Sequence, residues 1–256
     1  MRNNYVGDIG DFAKYGLLRT LACGKRLGVA WYLRTDSDPS GSNDGRHTDY
    51  LMRPEEWRHL DPELFDELGK LVRDGRRTVK AVAESGLLGD ATFAAEPLDI
   101  SPVLHGDRER WRREWFERTR AKLRDCDLVF ADPDNSLYPD DGFRYRRKES
   151  AKRIPPSEVR ALADGRPAVI YHHNTRARGG HHQEIRKWIG QLPPGTLAYY
   201  WRRWSNRTFF IVNPDAEIKR RFKTFEGRWA GTGETVRGGP RVGGRHRVCP
   251  GSGIQG

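Results

Sequence analysis

The chain has 256 residues and a formal net charge of +11 at pH 7, with 36% hydrophobic and 32% charged residues. Its length is enough for one large α/β domain, and its many Trp, Tyr and Phe residues supply the apolar area of a folded core. No apolar run approaches a membrane span, and the three cysteines are widely spaced. These features argue against a membrane protein, a disulfide framework and a zinc cluster. We expect a soluble, cytoplasmic protein that attracts polyanions such as nucleic acid.

The first half of the chain alternates predicted helices and strands. Apolar residues at spacings of three and four predict a helix over residues 10–27, and a strand is predicted at 29–33. Residues 36–49 form a loop rich in Gly, Ser, Asn and Asp, which is longer than most connections and is typical of functional or mobile segments. Helices are predicted over 54–73, 77–86 and 108–124, with a strand at 91–96.

A short apolar strand in the middle of the chain ends on acidic and amide side chains. Residues 127–131 read Asp-Leu-Val-Phe-Ala, and Asp132, Pro133, Asp134 and Asn135 follow. The run is typical of a buried strand, which the proline ends. Because α/β enzymes place their chemistry at the carboxyl ends of sheet strands, these four residues are the candidate catalytic group. An ordinary Asp-Pro turn is the alternative interpretation.

A basic segment containing aromatic residues follows this acidic strand end. Residues 143–153 include Phe143 and Tyr145 among six Arg and Lys side chains. Such a segment is typical of contacts with a nucleic-acid backbone, and a solvated loop is the alternative.

The C-terminal part predicts a helix at 156–164, a strand at 168–172 and a helix that includes 185–189. Two strands at 196–204 and 208–213 flank residues 205–207, which predicts a hairpin. The alternation predicts a doubly wound, mostly parallel α/β sheet with an antiparallel C-terminal hairpin. We expect a single domain over residues 1–227 and a flexible basic Gly/Arg-rich tail over 228–256.

Four segments of the chain, in this order, resemble the motifs of a known family. They are Asn4-Tyr5-x-Gly7-Asp8-x-x-Asp11-x-x-Lys14-Tyr15, Trp31-Tyr32-Leu33-x-Thr35-Asp36, Asp132-Pro133-Asp134-Asn135 and Phe210-Ile211-Val212-Asn213-Pro214. Over roughly residues 4–225 the chain resembles the S-adenosylmethionine-dependent methyltransferases that modify adenine N6 in large-subunit ribosomal RNA. That family carries a similar helix start, a similar strand end before a Gly-rich loop, and an Asp-Pro-Pro-Tyr motif.

The resemblance implies a Rossmann-like methyltransferase fold, S-adenosylmethionine as cofactor and nucleic acid, RNA more than DNA, as substrate. It implies a cofactor pocket formed by Tyr5, Asp8, Asp11, Lys14, Thr35, Asp36 and Asp44. Asp132 would accept the N–H bonds of the target amine and so localise the nitrogen lone pair toward the methyl group. Substrate contacts are expected from Tyr138, Arg144, Arg146, Arg147, Lys148, His173 and Asn174.

The chain departs from the family motif at two positions. Asp134 replaces the second proline, and Asn135 replaces the aromatic residue that stacks on an extruded base. The acceptor is therefore expected to be an amine of a nucleic acid without commitment to adenine. Tyr138 or Phe143 could supply the missing stack.

Two other classes of function fit parts of the sequence. A metal-dependent nuclease or phosphoesterase would use Mg²⁺ or Mn²⁺ on hard oxygen ligands, drawn from Asp8, Asp11, Asp36, Asp132 and Asp134. A non-catalytic module could bind nucleic acid with a decayed methyltransferase fold. The pairs His172-His173 and His181-His182 could also form an imidazole cluster, but we favour His172 as a core residue of its strand.

Overall fold

The computed structural model describes residues 1–34, 45–204 and 206–238. Its helices are α1 (Ile9–Ala22), α2 (Pro54–Trp57), α3 (Pro62–Arg73), α4 (Val79–Glu84), α5 (Arg108–Lys122), α6 (Pro156–Leu162), α7 (Gly180–Gln191) and α8 (Ala216–Arg228). Its strands are β1 (Leu27–Trp31), β2 (Thr92–Ala94), β3 (Leu128–Asp132), β4 (Ser136–Leu137), β5 (Arg153–Ile154), β6 (Ala168–His173), β7 (Leu197–Trp201), β8 (Arg207–Val212) and β9 (Gly233–Val236).

A seven-stranded mixed sheet organises the fold, in the order β2-β1-β3-β6-β8-β7-β9. Strands β2, β1, β3 and β6 pair in parallel. Strand β8 runs antiparallel to both β6 and β7, and β9 runs antiparallel to β7. The α/β class, the parallel core and the antiparallel C-terminal hairpin are therefore confirmed. Strands β4 and β5 form a separate short parallel pair.

Both faces of the sheet are covered by helices, which explains the continuous apolar runs of its central strands. All five residues of β1 and of β3 are buried. One core cluster joins the sheet to α1, α3, α4 and α8, and a second joins it to α5, α6 and α7. The charged residues of each helix can then face solvent while its apolar stripe completes a core layer.

The strand order of the sheet reverses at β1, because β2 and β3 lie on opposite sides of it. From β1 the chain adds β2 on one side, and β3 then pairs on the other side of β1 with Trp31 opposite Asp132. In doubly wound sheets, ligands bind outside the carboxyl ends of strands at such a switch point. The topology therefore places the candidate catalytic strand end at the expected ligand edge.

Several predicted element boundaries differ from the structure. Helix α1 ends at Ala22, and Gly24 at φ +66° turns the chain into β1 two residues earlier than predicted. The single helix predicted over 54–73 is divided, because Asp61 caps a new helix that begins at Pro62. Arg207 belongs to β8 and not to the predicted hairpin turn, whereas Ser205 lies outside the described residues.

The buried face of α5 contains a charged residue beside its aromatic ones. Trp111 is only half-buried, whereas Arg112 is fully buried. The Arg112 guanidinium lies 2.8 Å from Glu158 Oε2, and the Tyr32 hydroxyl donates to the same oxygen at 3.0 Å. A buried charge requires such a partner, and an apolar periodicity cannot reveal it.

The folded region extends beyond the predicted boundary at residue 227. Trp229 is buried and stacks on Phe225 with 5.2 Å between ring centroids. Strand β9 then pairs with β7 from Gly233 to Val236. Residues 228–236 are therefore part of the sheet and its core, because a buried tryptophan outweighs the glycine-rich composition around it. The remainder of the predicted tail, 239–256, lies outside the described residues.

Within the described ranges, no helix is long and apolar enough to cross a membrane. Cys23 is exposed and Cys126 is buried, and both are free thiols. Cys249 lies outside the described residues.

The contact between α1 and Trp229 yields the first prediction. A Cβ at Gly16 would lie 2.2 Å from Trp229 Cζ2, so Gly16→Ala should lower the free energy of unfolding by roughly 1–3 kcal/mol through overpacking. Urea denaturation measures this difference. Exposed Gly227 of α8 is the matched control, because Gly227→Ala meets no atom within 4 Å and should stabilise by up to about 1 kcal/mol. Unchanged stability of Gly16→Ala would contradict the packing of Trp229 on α1.

Candidate functional site

A cavity of about 140 Å³ opens at the carboxyl ends of β3 and β6, beside the start of α1. Ligand pockets for drug-sized molecules usually enclose roughly 300–1,000 Å³. Within the described residues, the cavity is therefore large enough for a small polar group of a ligand and not for a whole nucleoside cofactor.

Eight of the residues predicted to form the site line this cavity together. They come from the segment before α1, from α1 itself and from the ends of β3 and β6: Tyr5, Asp8, Asp11, Lys14, Asp132, Pro133, Asp134 and His173. The convergence of α1 with two strand ends follows from the parallel pairing of β1, β3 and β6, whose carboxyl ends share one edge.

The other predicted site residues lie elsewhere or are not described. Asn135 is exposed, and its main chain accepts a hydrogen bond from His173 N and donates one to Lys152 O. Asn174 is buried and accepts a hydrogen bond from Thr208 Oγ1 at 2.8 Å. Five predicted substrate residues lie at surface positions and do not line the cavity, namely Tyr138, Arg144, Arg146, Arg147 and Lys148. Thr35, Asp36 and Asp44 lie outside the described residues.

The Lys14 ammonium is held between two carboxylates in the wall of the cavity. Its Nζ lies 2.6 Å from Asp11 Oδ1 and 2.9 Å from Asp132 Oδ2. Each of the three residues is 3% exposed. Burial lowers the pKa of Lys14, but the charges of Asp11 and Asp132 outweigh burial and raise it well above its usual value. Lys14 therefore stays positively charged.

The pKa of Asp11 is also raised, which for a carboxyl group favours the neutral form. Burial raises the pKa of Asp11 to about 6, although the Lys14 ammonium opposes this change. The carboxyl group therefore titrates close to physiological pH. The arrangement of two carboxylates around one ammonium favours a second cation or amine N–H groups beside Asp132.

Asp8 caps α1 and pairs with a cation from β8. Its Oδ1 accepts the N–H groups of Gly10 at 2.7 Å and Asp11 at 3.0 Å, and Arg207 Nη1 lies 3.6 Å away. A Cβ at position 10 would fall 0.9 Å from Arg207 Nη1. Glycine at position 10 therefore allows the Arg207 guanidinium to lie across the first turn of the helix.

Asp134 brings a further buried carboxylate to the same edge. Its side chain is 2% exposed, with Arg2 Nε at 3.4 Å and Arg34 Nη1 at 4.0 Å. Its Oδ1 is buried and makes no hydrogen bond within the part of the chain that is described. The same oxygen lies 3.7 Å from the α-ammonium group of Met1, so Asp134 is surrounded by cations and retains hydrogen-bonding capacity at Oδ1.

Sequence reasoning missed Tyr171, Arg207, His47 and Gly10, which also line the cavity. Burial raises the pKa of Tyr171 to about 12, and its hydroxyl lies 3.4 Å from His173 Nδ1. Side chains two apart on a strand share a face, so the candidate His173 could have led to Tyr171. Arg207 has no such local signal, because it reaches the site only through the pairing of β8 with β6.

The histidines do not form one cluster. His172 is fully buried, as predicted for a core residue; its Nδ1 accepts from Leu137 N at 3.1 Å and its Nε2 lies 3.2 Å from Glu184 Oε1. Burial lowers its pKa, so the ring is neutral and the hydrogen bond at Nδ1 assigns its proton to Nε2. His181 contacts Tyr200, and His182 contacts Glu234.

Over residues 1–34, 45–204 and 206–238, no three His, Cys, Asp or Glu side chains are grouped as ligands for a metal ion. The four described carboxylates of the metal interpretation lie near cations instead, and Asp36 lies outside the described residues. Asp8 lies near Arg207, Asp11 and Asp132 share Lys14, and Asp134 lies near Arg2.

Neither a scan of protein-family models nor a search of curated proteins finds a match to this chain. Function must therefore be inferred from the geometry of the cavity.

The buried charges at Lys14 yield the second prediction. Lys14→Met should lower the free energy of unfolding by roughly 3–5 kcal/mol at pH 7, because it leaves Asp11 and Asp132 as buried carboxylates without their cation. The loss should be smaller at pH 5. The pKa of Asp11 is about 6 in the folded state and 3.8 in the unfolded chain, so the folded state holds the proton more tightly. Ionisation of Asp11 therefore costs stability as the pH rises from 3.8 through about 6, and at pH 5 less of this cost is present.

Urea denaturation at both pH values tests this prediction. The control is Lys80→Met, because Lys80 is 84% exposed and pairs with Glu84 on the surface. The control should unfold like the parent protein at both pH values. A Lys14→Met penalty of equal size at pH 5 and pH 7 would contradict the role given to Asp11.

Proposed function

We propose that the chain is an S-adenosylmethionine-dependent methyltransferase that acts on an amine of a nucleic acid, RNA more than DNA. The observation that carries the proposal is the meeting of Asp11, Lys14 and Asp132 in one cavity. Lys14 and Asp132 are 118 positions apart in the chain and belong to separate motifs of the resemblance. Those motifs supply the cofactor pocket and the target-amine position in the family that the chain resembles.

The topology supports the same assignment. The cavity lies at the carboxyl edge of the parallel strands, next to the switch point between β1 and β3. Doubly wound sheets that bind nucleotide-containing cofactors use this position.

The residues of the cavity fit the amino-acid end of the cofactor. S-adenosylmethionine supplies a methyl group on a positively charged sulfur when it is bound. Arg207 offers a cationic group for its carboxylate, and Asp134 offers a buried carboxylate oxygen without a hydrogen bond among the described residues for its ammonium group. The small volume of the cavity suits this end of the molecule. Gly45, which follows the segment 35–44 of the predicted cofactor loop, also lines the cavity.

Asp132 is the candidate group at the reacting amine. An exocyclic amine is a weak nucleophile because its lone pair is delocalised into the base. The Asp132 carboxylate would accept its N–H bonds while Lys14 holds Oδ2 at 2.9 Å, which fixes the orientation of the acceptor. Pro133 then sets the direction in which the chain leaves β3.

The third prediction separates cofactor binding from methyl transfer. Asp132→Asn should abolish transfer of a labelled methyl group to single-stranded RNA, while the affinity for S-adenosylmethionine stays within tenfold, or about 1.4 kcal/mol. Asp134→Asn should weaken cofactor binding by tenfold or more, because it removes the proposed partner of the cofactor ammonium. Calorimetric titration and filter-bound radioactivity measure the two effects.

Exposed Asp164 provides the control, because Asp164→Asn removes a carboxylate outside the cavity and should change neither quantity. Full methyl transfer by Asp132→Asn would refute the role of Asp132. A parent protein that binds Mg²⁺ and not S-adenosylmethionine would replace the proposal with the metal-dependent nuclease. Binding of neither, with binding of nucleic acid, would favour the non-catalytic module.

A further inference from the structure

A basic groove lies beside the cavity and is not used by the site described above. It consists of two depressions of about 580 and 510 Å³ that share Tyr138 and Arg153. The first lies between β4 and α7, and the second lies along residues 142–150. We call both together the β4 groove. Its cationic side chains are Arg144, Arg147, Arg153, Arg178 and Lys187.

The charges of the β4 groove are not compensated by acidic neighbours. Within the described ranges, none of its five cations forms an ion pair. Of the two acidic residues in its lining, Glu184 is buried and is occupied by His172 and Thr175, which leaves Glu149. By contrast, Arg110, Arg113, Arg118 and Arg120 of α5 each lie within 4.0 Å of an acidic side chain. The groove therefore has a positive potential that a polyanion can neutralise.

Arg153 is held in a fixed orientation at the centre of the groove. Its guanidinium carbon lies 4.3 Å from the centroid of the Tyr138 ring, and both residues are half-buried. The pairing of β5 with β4 places Arg153 opposite Ser136. A planar guanidinium that is already stacked loses little side-chain entropy when it binds phosphate.

The groove begins where the lining of the cavity ends. Asp134 lines the cavity and Ser136 lines the groove, and the same holds for His173 and Thr175. Two residues of extended chain span at most about 7 Å, so the two edges are close. Asn135 bridges them through its main-chain hydrogen bonds to Lys152 and His173.

We propose that the β4 groove binds the phosphate backbone of a single-stranded nucleic acid and leads one nucleotide to the cavity. The second part rests on the proposed function. A stacked aromatic and guanidinium pair within a basic groove is typical of proteins that bind single strands. A base inside a duplex cannot reach a small cavity below the surface, so the segment at the cavity is unpaired.

The fourth prediction compares two variants of equal charge. Arg147→Gln/Arg153→Gln/Lys187→Gln removes three cations from the groove, and Lys80→Gln/Lys122→Gln/Lys219→Gln removes three exposed cations elsewhere. Fluorescence anisotropy with 20-nucleotide single-stranded RNA and DNA should show at least tenfold weaker binding for the groove variant. The slope of log affinity against log salt should fall by about 2, since each phosphate contact on a single strand contributes about 0.7. The control variant should bind within threefold of the parent.

The outcomes of these measurements separate the groove proposal from the methyltransferase proposal. Equal affinities of the groove and control variants would overturn the groove, as would tighter binding of duplex than of single strands. Arg147→Gln and Lys187→Gln, which alter only exposed side chains, should each weaken binding and guard against misfolding at position 153. Cofactor titration should be unchanged in the groove variant. Failure of every protein to bind S-adenosylmethionine, with the groove effect intact, would contradict the methyltransferase and not the groove.

Discussion

The buried ammonium of Lys14 is the constraint on which the candidate site depends. A charge removed from water is tolerated only where opposite charges and hydrogen bonds replace its hydration. Asp11 supplies one partner from the same helix and Asp132 supplies the other from β3. The ion pairs therefore fix the position of α1 against the carboxyl edge of the sheet. That position in turn requires glycine at residue 10, where the Arg207 guanidinium crosses the first helical turn.

The same residues serve stability and the proposed chemistry, which limits how the site can vary. Asp132 holds α1 through Lys14 and presents its carboxylate to the cavity. The buried ion pairs hold these charges in place without a ligand, which is the preorganisation that the proposed methyl transfer requires. The adjoining groove is held by different contacts, namely β4 with β5 and Leu137 with His172. Substitutions in the groove can therefore change its surface charge without disturbing the buried ion pairs.

The strands, and the site residues at the ends of β3 and β6 and at the start of α1, were predictable from local sequence. The contribution of β8 to the site was not. Continuous apolar runs predict β3 and β6, and parallel strand ends meet at one edge, so Asp132 and His173 share a cavity. Asp8, Asp11 and Lys14 follow from one helix start. Arg207 depends on β8 lying between β6 and β7, an order that no local pattern encodes. Trp229 and β9 were missed for a related reason, since composition describes solvation and not the packing of one buried ring.

The structure shows where the two residues that depart from the Asp-Pro-Pro-Tyr pattern, Asp134 and Asn135, are located. Asn135 is exposed and its main chain connects the cavity to the groove, so a stacking ring at this position would lie outside the cavity. Tyr138 and Phe143 lie along the groove and cannot replace that ring inside the cavity, where Tyr5 and Tyr171 are the tyrosines present. Asp134 adds a buried carboxylate whose Oδ1 has no hydrogen bond in the described ranges. Proline could not do this. The change therefore adds a negative charge to the lining of the cavity, and in the proposed function it bears on recognition of the cofactor ammonium group more than on methyl transfer.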